Sequence, residues 1–218
     1  MTKSSKILVV LVLVVSMVSA PVWAAGGKVR GDKATGPAGS TGNGAVSTNR
    51  GDGTCENYLA AGSLLEVETE YLLFMIQEEK LARDVYLSLF DHYAATEPLL
   101  ARIFENISSS EQRHMDAVER LIIRYGLENP VGEYAVGEFP DSEAGFADLY
   151  SELLSAGLES YCGALDVGIQ IEELDIEDLE AALEEIEAPD VARVFGNLLN
   201  GSYNHLSAFT GRFEVNCQ

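Results

Sequence analysis

The sequence predicts an all-α protein, built as a four-helix bundle with one long crossover connection and short additional helices. From Leu64 onward, apolar residues recur at steps of three and four, the spacing of helices that bury one face. No stretch alternates between apolar and polar residues for long enough to predict a strand. The helical patterns come as two long helices, a long connection and two further helical regions. This is the order that a bundle with one crossover requires.

Two long helices come first. One spans roughly residues 64–92 and the other roughly residues 98–125. Gly126 follows the second helix and is expected to end it, because glycine readily adopts the left-handed conformation found after many helices. The apolar stripe of the first helix consists of Tyr71, Met75, Ala82, Tyr86 and Leu89. The second stripe consists of Leu100, Ile103, Phe104, Ile107, His114, Met115, Val118, Leu121 and Ile122.

Residues 127–142 form the long connection, because prolines and glycines interrupt any regular pattern there. A shorter amphipathic helix follows from Phe146 to Leu154 and ends at Gly157. The helix-breaking residues of the connection are Pro130, Gly132, Gly137 and Pro140.

A third long helix is predicted over roughly residues 159–174. Asp175 then has the character of an N-cap for a further short helix that runs to about Ile186. Pro189 begins the last helix, since proline is tolerated in the first turn. The stripe of this helix consists of Val191, Val194, Phe195, Leu198, Ser202, His205 and Phe209.

Residues 1–24 have the pattern of a cleavable signal peptide. Two lysines precede an apolar run from Ile7 to Val18, and Val22-Trp23-Ala24 has small residues where a signal peptidase cuts. A spanning helix needs roughly 20 residues, so an uncleaved N-terminal anchor is the alternative if the run extends to Ala25. We therefore expect a secreted or cell-envelope protein.

Residues 25–54 are rich in glycine, serine and threonine and have hardly any large apolar side chain. Such a segment cannot offset its ordering entropy by burial, so it is predicted to be a flexible tether. Residues 55–218 then form the helical bundle as a single domain.

The chain is strongly acidic, with 14 basic and 35 acidic residues and a formal net charge of −21. This charge repels nucleic acids and anionic lipid, so we expect neither nucleic-acid binding nor membrane-surface binding. The same negative charge favours metal ions as partners. Formation of a homodimer is compatible with the sequence.

Ionisable residues interrupt the buried stripes of four helices. Glu79 lies on the apolar side of the first helix, and Glu111 and His114 form a Glu-x-x-His pair within the second stripe. Glu172 lies on the buried line of the third helix, and His205 continues the last stripe. A buried carboxylate without a partner costs several kcal/mol, so one cation bound between the helices would satisfy these residues together.

Each of these residues also has an ordinary structural explanation. A Glu-x-x-His pair is common on helix surfaces, and a single histidine on an apolar face is usually a satisfied core residue. A small helix rotation would expose Glu79 or Glu172, because each has an acidic neighbour. Taken together, their order along the chain, their spacing and their positions on the apolar helix faces favour a metal site. Its residues are Glu79, Glu111, His114, Glu172 and His205. Iron or manganese, as one or two ions, is the expected cofactor, since both accept carboxylate oxygen and imidazole nitrogen.

Four sequence strings resemble a known family. They are EEKLARDVY (78–86), SEQRHM (110–115), IEELDIEDL (171–179) and GSYNHLSAF (201–209). They look like the domain of unknown function 2202, a group of the ferritin-like superfamily, over roughly residues 64–210. The first helix is also similar to that of rubrerythrin-type proteins. The resemblance implies a ferritin-like di-iron bundle whose ligand positions match the five residues above, and it implies no established reaction. Ser202 departs from the superfamily pattern, which has a carboxylate at that position.

The chain contains three cysteines, and export would allow one disulfide. In a bundle with one long crossover, the third helix starts at the end where the fourth finishes, which pairs Cys162 with Cys217. A simple up-down bundle would instead suit a pair between Cys55 and Cys217. No CxxC spacing supports a zinc–thiolate site.

Two functions remain open from the sequence. The first is metal-dependent redox chemistry, either oxidation of ferrous iron or reduction of oxygen or peroxide at a carboxylate/histidine centre. Tyr71 and Tyr86 could then hydrogen-bond the carboxylate ligands. The alternative is a non-catalytic extracellular module, structural or metal-binding, with a degenerate site, and Ser202 favours it. Whether the protein is an enzyme is left undecided by the sequence.

Overall fold

The structure, a computed structural model, describes residues 63–141 and 144–217. Across these two ranges it contains five α-helices and no strand, so the all-α prediction is confirmed. The signal peptide predicted over 1–24, the tether predicted over 25–54 and the first residues of the predicted bundle lie outside the described residues. The helices are α1 (Glu66–Tyr93), α2 (Pro98–Arg124), α3 (Phe146–Glu159), α4 (Tyr161–Glu185) and α5 (Pro189–Asn216).

The four long helices pack as neighbours in two pairs. Helix α1 lies along α2, and α4 lies along α5. Contacts between α1 and α4 and between α2 and α5 join the pairs, while α3 packs against α1 and α4. Aromatic side chains fill the interior between the helices, where Tyr86, Phe104, Phe195 and Phe209 are fully buried. Each long helix therefore turns one side toward a common interior, which is where polar side chains need partners.

The connection between α2 and α3 is held against α1 by a buried ion pair. Lys80 pairs with Asp84, and its Nζ also donates to the carbonyl oxygen of Ala135 at 2.7 Å. The backbone N–H of Gly137 donates to Asp84 Oδ2 at 2.9 Å. Gly137 has a φ of 78°, in the left-handed region that favours glycine. Nζ of Lys80 also lies 4.6 Å from the ring centroid of Phe139, so this charge anchors the connection at several points.

The predicted break near Asp175 is wrong, because α4 is one continuous helix from Tyr161 to Glu185. Its N-cap is Ser160, whose hydroxyl accepts from the N–H of Gly163 at 3.0 Å. Asp175 lies in the middle of the helix, where it is buried and accepts a hydrogen bond from Ser202 of α5. Its polar partner is therefore on another helix and not at a helix start.

Helix α3 is longer than predicted, since it continues to Glu159. Gly157, expected to end it, is buried inside the helix. A Cβ atom there would lie 2.7 Å from Leu89 Cδ2 of α1, and the hydroxyl of Tyr93 donates to the Gly157 carbonyl at 2.8 Å. This glycine permits close packing between two helices and does not act as a stop.

A disulfide joins Cys162, at the start of α4, to Cys217, directly after α5. This is the pairing predicted for a bundle with one long crossover connection. Cys55, which belongs to the alternative pair, lies outside the described residues. None of the helices in the described ranges is long and apolar enough to cross a membrane.

Candidate metal centre

The five residues singled out in the sequence meet between α1, α2, α4 and α5. Ligand atoms of Glu79, Glu111 and His114 all lie within 4.8 Å of one another, and so do those of Glu111, Glu172 and His205. Glu111 belongs to both groups, so its carboxylate lies between the two imidazoles. Each of the three glutamates is 2 % exposed, which places their charges in the interior.

Both histidines direct Nδ1 toward the carboxylates. Nδ1 of His114 lies 2.8 Å from Glu111 Oε2 and 3.2 Å from Glu79 Oε2. Nδ1 of His205 lies 2.7 Å from Glu111 Oε1 and 3.5 Å from Glu172 Oε2. The two rings stack with centroids 5.5 Å apart and an angle of 24° between their planes. The arrangement has approximate two-fold character, with one imidazole and one outer glutamate on each side of Glu111.

Several atoms of this cluster have no hydrogen-bond partner although they are buried. They include Glu79 Oε1, Glu111 Oε1 and His205 Nδ1. The last two atoms are close together, yet their directions do not form a hydrogen bond. Among the described residues, no lysine or arginine forms an ion pair with Glu79, Glu111 or Glu172. Unpaired oxygen and imidazole nitrogen atoms that face a common interior point fit a bound cation.

The electrostatics of the cluster reflect an excess of negative charge. Burial and then the charge of Asp175 raise the pKa of Glu79 well above its usual value. Burial and then Glu111 raise the pKa of Glu172 to about 8. Burial would also raise the pKa of Glu111, but the two histidines outweigh it and lower that pKa to about 2. Burial would lower the pKa of His205, but the adjacent carboxylates of Glu111 and Glu172 outweigh it and raise that pKa to about 10. Two imidazoles therefore supply too little positive charge for this group of carboxylates.

Tyr86 is the tyrosine that reaches the cluster. Its hydroxyl donates to Glu172 Oε1 at 2.7 Å, and its ring is fully buried against Phe209 with centroids 5.1 Å apart. Burial and then the negative charges of Glu185 and Asp178 raise the pKa of Tyr71. The expectation that a tyrosine orients a carboxylate ligand therefore applies to Tyr86 alone of the two.

Gly201 of α5 provides the space for one imidazole. A Cβ atom at this position would lie 2.6 Å from both Cε1 and Nε2 of His114, which real structures essentially never show. The glycine thus allows the His114 ring, contributed by α2, to cross toward α5 with Nδ1 directed at the carboxylates.

Sequence reasoning missed further acidic residues beside the cluster. Asp175 and Glu78 are buried, and so is Asp178. In each of them at least one carboxylate oxygen has no hydrogen-bond partner. Glu172, Asp175 and Asp178 recur at steps of three along α4, a spacing that could have identified them as one buried face.

Comparisons with known proteins place these residues within a shared domain. The family described as "Uncharacterized protein domain (DUF2202)" matches residues 68–218, a range that includes all five residues. "Uncharacterized protein MJ0754" of Methanocaldococcus jannaschii is 44% identical over 144 residues, which cover 66% of this chain and 74% of that protein. A crystal structure of hypothetical protein MJ0754 from Methanococcus jannaschii has a TM-score of 0.65 at 40% identity. The match covers 72% of this chain and 86% of that chain.

Proposed function

Because the chain belongs to the DUF2202 family of uncharacterized domains, we propose a function from the centre itself: an exported ferritin-like protein that binds iron or manganese and performs redox chemistry there. The reaction is oxidation of ferrous iron, or reduction of oxygen or peroxide. One observation carries the proposal. Glu111 lies between two imidazole nitrogens, with Glu79 and Glu172 on either side, and all three carboxylates are buried with no lysine or arginine of the described residues paired to them.

The ferritin-like four-helix bundle is part of the proposal. It is supported by the way α1, α2, α4 and α5 each contact two others of the set, and by the long connection between the two halves. In such bundles, carboxylates and Glu-x-x-His pairs from facing helices project inward to hold metal ions. The origin of the five residues on four different helices agrees with that arrangement.

The donor set is compatible with iron or manganese. Carboxylate oxygens and imidazole nitrogens together suit Fe and Mn, whereas the cysteines are engaged elsewhere or lie outside the described residues. Glu79, Glu111 and His114 would hold a cation on one side, and Glu172 and His205 would hold one on the other, with Glu111 shared. A metal ion in this position supplies electron transfer that the side chains themselves lack.

The side chains around the centre perform the remaining tasks. Tyr86 holds the carboxylate of Glu172 in one orientation through its hydrogen bond, and burial of both residues limits water. The histidines are the ligands closest to solvent, with side chains 13% and 10% exposed for His114 and His205. Small reactants would therefore approach between α2 and α5.

Export is proposed on the N-terminal sequence pattern and on the disulfide. A bond between Cys162 and Cys217 persists in an oxidising compartment, whereas reducing compartments keep thiols free.

Ser202 favours a second candidate function, a non-catalytic metal-binding or structural module. Its hydroxyl donates to Asp175 and also lies 3.0 Å from the carbonyl oxygen of Leu198, so it forms part of a hydrogen-bonded network inside the bundle. For such a module, metal binding raises the stability of the folded protein, and the protein catalyses no reaction.

One experiment tests the proposal and separates the two functions. Metal-free protein is titrated with Fe(II) under anaerobic conditions and then exposed to air or to hydrogen peroxide. We expect saturable Fe(II) binding followed by a ferric absorption band, and both are lost in Glu111→Gln. Glu173→Gln serves as the matched control, because Glu173 is exposed on α4 beside Glu172. Binding without oxidation would leave the non-catalytic metal-binding module, and absence of Fe(II) binding would refute the proposed redox function and leave only the structural module.

A further inference from the structure

The exposed arginines of the bundle are concentrated on one side. Among the described residues, eight are lysine or arginine, and two of these, Lys80 and Arg83, pair with Asp84. The other six belong to α2 and α5, and they are Arg102, Arg113, Arg120, Arg124, Arg193 and Arg212. Helices α3 and α4 together carry twelve acidic residues and no basic one. The side formed by α2 and α5 is therefore an arginine face on an otherwise acidic protein.

The four arginines of α2 lie along a single line of that helix. At a rotation of about 100° per residue, their positions fall within about 40° of one another around the helix axis. Arg102 and Arg124 are 22 positions apart, which corresponds to about 33 Å at a rise of roughly 1.5 Å per residue. From α5, Arg193 and Arg212 face the same groove, because each lines a cavity together with residues of α2.

Two open cavities lie along the groove between α2 and α5. One has a volume of about 550 Å³ and is lined by Arg102 and Arg212. The other has a volume of about 410 Å³ and is lined by the remaining arginines of the face except Arg113. Buried Ile103 also lines the first cavity, and buried Leu198 lines the second. Apolar side chains bordered by exposed arginines are typical of a surface that binds another polypeptide.

The arginine face is poorly neutralised by the protein itself. Arg124 lies 3.4 Å from Asp190, and none of the other five arginines forms an ion pair with a described residue. Asp190 is also the one acidic residue among the described residues that line the two cavities. Like charges along one line of a helix repel each other, although a chain with 35 acidic residues has many that could balance them. A negatively charged ligand in the groove would remove this repulsion.

We propose that the groove between α2 and α5 binds an extended acidic peptide segment of a partner protein, whose carboxylates pair with the six arginines. An extended chain rises about 3.3 Å per residue, so roughly ten residues span the line of arginines. A small oxyanion would reach the arginines of one cavity alone. A nucleic acid, which extends past the groove, meets the repulsion of a net charge of −21.

The position of the groove relates the peptide to the candidate metal centre. Along both helices, His114 and His205 come between the residues that line one cavity and those that line the other. A segment that occupies both cavities therefore crosses the side of the bundle on which the two histidines are closest to solvent. Binding of the peptide itself does not depend on the proposed function, because the arginines are separate from the metal-binding residues.

The test is the fluorescence anisotropy of a labelled acidic peptide, titrated with the metal-free full chain. The probe is a peptide of about ten residues, all glutamate apart from one leucine near each end. We expect saturable binding that weakens as NaCl is added, because salt screens the ion pairs. Arg120→Gln with Arg193→Gln should lower the affinity by about tenfold or more, and so should Arg102→Gln with Arg212→Gln, because the peptide spans both cavities.

Ala147→Asp with Ser151→Asp is the matched control, because it lowers the net charge by the same amount at exposed positions of α3. It should bind the peptide as the wild type does, and circular dichroism checks that every variant keeps its helices. Absence of binding to the wild type would overturn the proposal, and so would an equal loss of affinity in the control.

Two further results would exclude a peptide as the ligand of the groove. If only one of the two arginine pairs affected binding, the site would be that of a small anion in one cavity. Displacement of the probe by inorganic phosphate or by a single-stranded oligonucleotide, as effective as displacement by unlabelled peptide at equal charge concentration, would assign the groove to those ligands. Each of these outcomes leaves the proposed function intact, because no metal takes part in the measurement.

Discussion

Gly201 and His114, from two different helices, fit together so closely that a methyl group at position 201 would lie 2.6 Å from the imidazole ring. The ring can approach the carboxylates in this orientation only because α5 carries no side chain there. A glycine in the middle of a helix lowers the free energy of unfolding by roughly 0.5–1 kcal/mol relative to alanine. At position 201 this loss of stability accompanies the space that the His114 ring requires.

Replacement of Gly201 by alanine should therefore weaken metal binding. We expect Mn(II) affinity to fall by about tenfold or more, equivalent to about 1.4 kcal/mol, because His114 Nδ1 is displaced from Glu79 and Glu111. Isothermal titration calorimetry gives the affinity and the stoichiometry together.

Two other glycines of α5 provide matched controls for this substitution. A Cβ atom at Gly196 or Gly211 meets nothing within 4 Å, so alanine at either position should leave Mn(II) affinity unchanged. Each should raise the free energy of unfolding by roughly 0.5–1 kcal/mol through helix propensity. If Gly201→Ala behaved like these controls, the positioning role of the glycine would be wrong.

Glu172→Gln should have opposite effects on the metal-free and the metal-loaded protein. Burial and Glu111 raise the pKa of Glu172 to about 8, so its ionised form destabilises the metal-free fold at pH 8.5. Glutamine keeps an oxygen that accepts from Tyr86 but removes the charge, and the metal-free variant should melt at a higher temperature than the wild type. The increase in melting temperature on adding Mn(II) should shrink or disappear.

Thermal melts with and without Mn(II) at pH 8.5 measure both effects. Glu173→Gln, on the exposed side of α4, should change neither melting temperature appreciably. A metal-dependent increase that persisted at full size in Glu172→Gln would show that this carboxylate is not a ligand.

Tyr86→Phe should loosen the carboxylate of Glu172 without removing it. The variant loses the hydrogen bond of 2.7 Å to Glu172 Oε1, and partners of metal ligands typically affect metal affinity by at least about tenfold. Mn(II) titration should show unchanged stoichiometry with affinity lower by about that factor. Tyr125→Phe is the control, because Tyr125 donates to Asp190, which is outside both groups of ligand atoms, and should leave affinity unchanged. Equal affinities in the two variants would contradict an orienting role of Tyr86.

The long apolar stripes were sufficient to predict α1, α2 and α5, because burial of one helix face dominates the free energy of these segments. The two errors arise where a residue with a strong local preference has a distant partner. Asp175 favours helix starts in general, but here Ser202 of another helix supplies its hydrogen bond. Gly157 favours helix ends, but here it makes room for Leu89. Contacts between helices override local preference in both cases, and no pattern within one helix reveals them.

The convergence of the five candidate ligands could be predicted because each interrupts an apolar stripe at helical spacing. Asp175 escaped the same reasoning because aspartate favours helix starts and was interpreted as an N-cap, and Glu78 escaped it because only its neighbour Glu79 was assigned to the apolar side of the first helix. Both are buried because α1 and α4 face each other across the interior, and this depends on how each helix is rotated about its axis. A difference of one residue in that rotation, about 100°, is enough to exchange a buried carboxylate for an exposed one.

Glu68 should stabilise the fold away from the centre by joining the start of α1 to the turn before α5. It is 2 % exposed, and its carboxylate accepts from the N–H groups of Leu65 at 2.8 Å, Glu187 at 2.8 Å and Ala188 at 2.7 Å. Glu68→Ala leaves these donors without an acceptor, so the free energy of unfolding at pH 7 should fall by about 2–3 kcal/mol. Urea denaturation measures it, with Glu66→Ala in the exposed first turn of α1 as the control.

The pH dependence of this effect follows from the pKa of Glu68. Burial favours the neutral carboxyl, but the three N–H donors outweigh it, and the pKa is lower than its usual 4.5. A group whose pKa is depressed by folding contributes stability that is fully present above the unfolded pKa and is lost as pH falls through the folded one. The difference between wild type and Glu68→Ala should therefore be constant from pH 7 to about pH 5 and shrink below about pH 4. A difference that grew on acidification would mean that the neutral carboxyl, and not the carboxylate, is the form that these N–H groups stabilise.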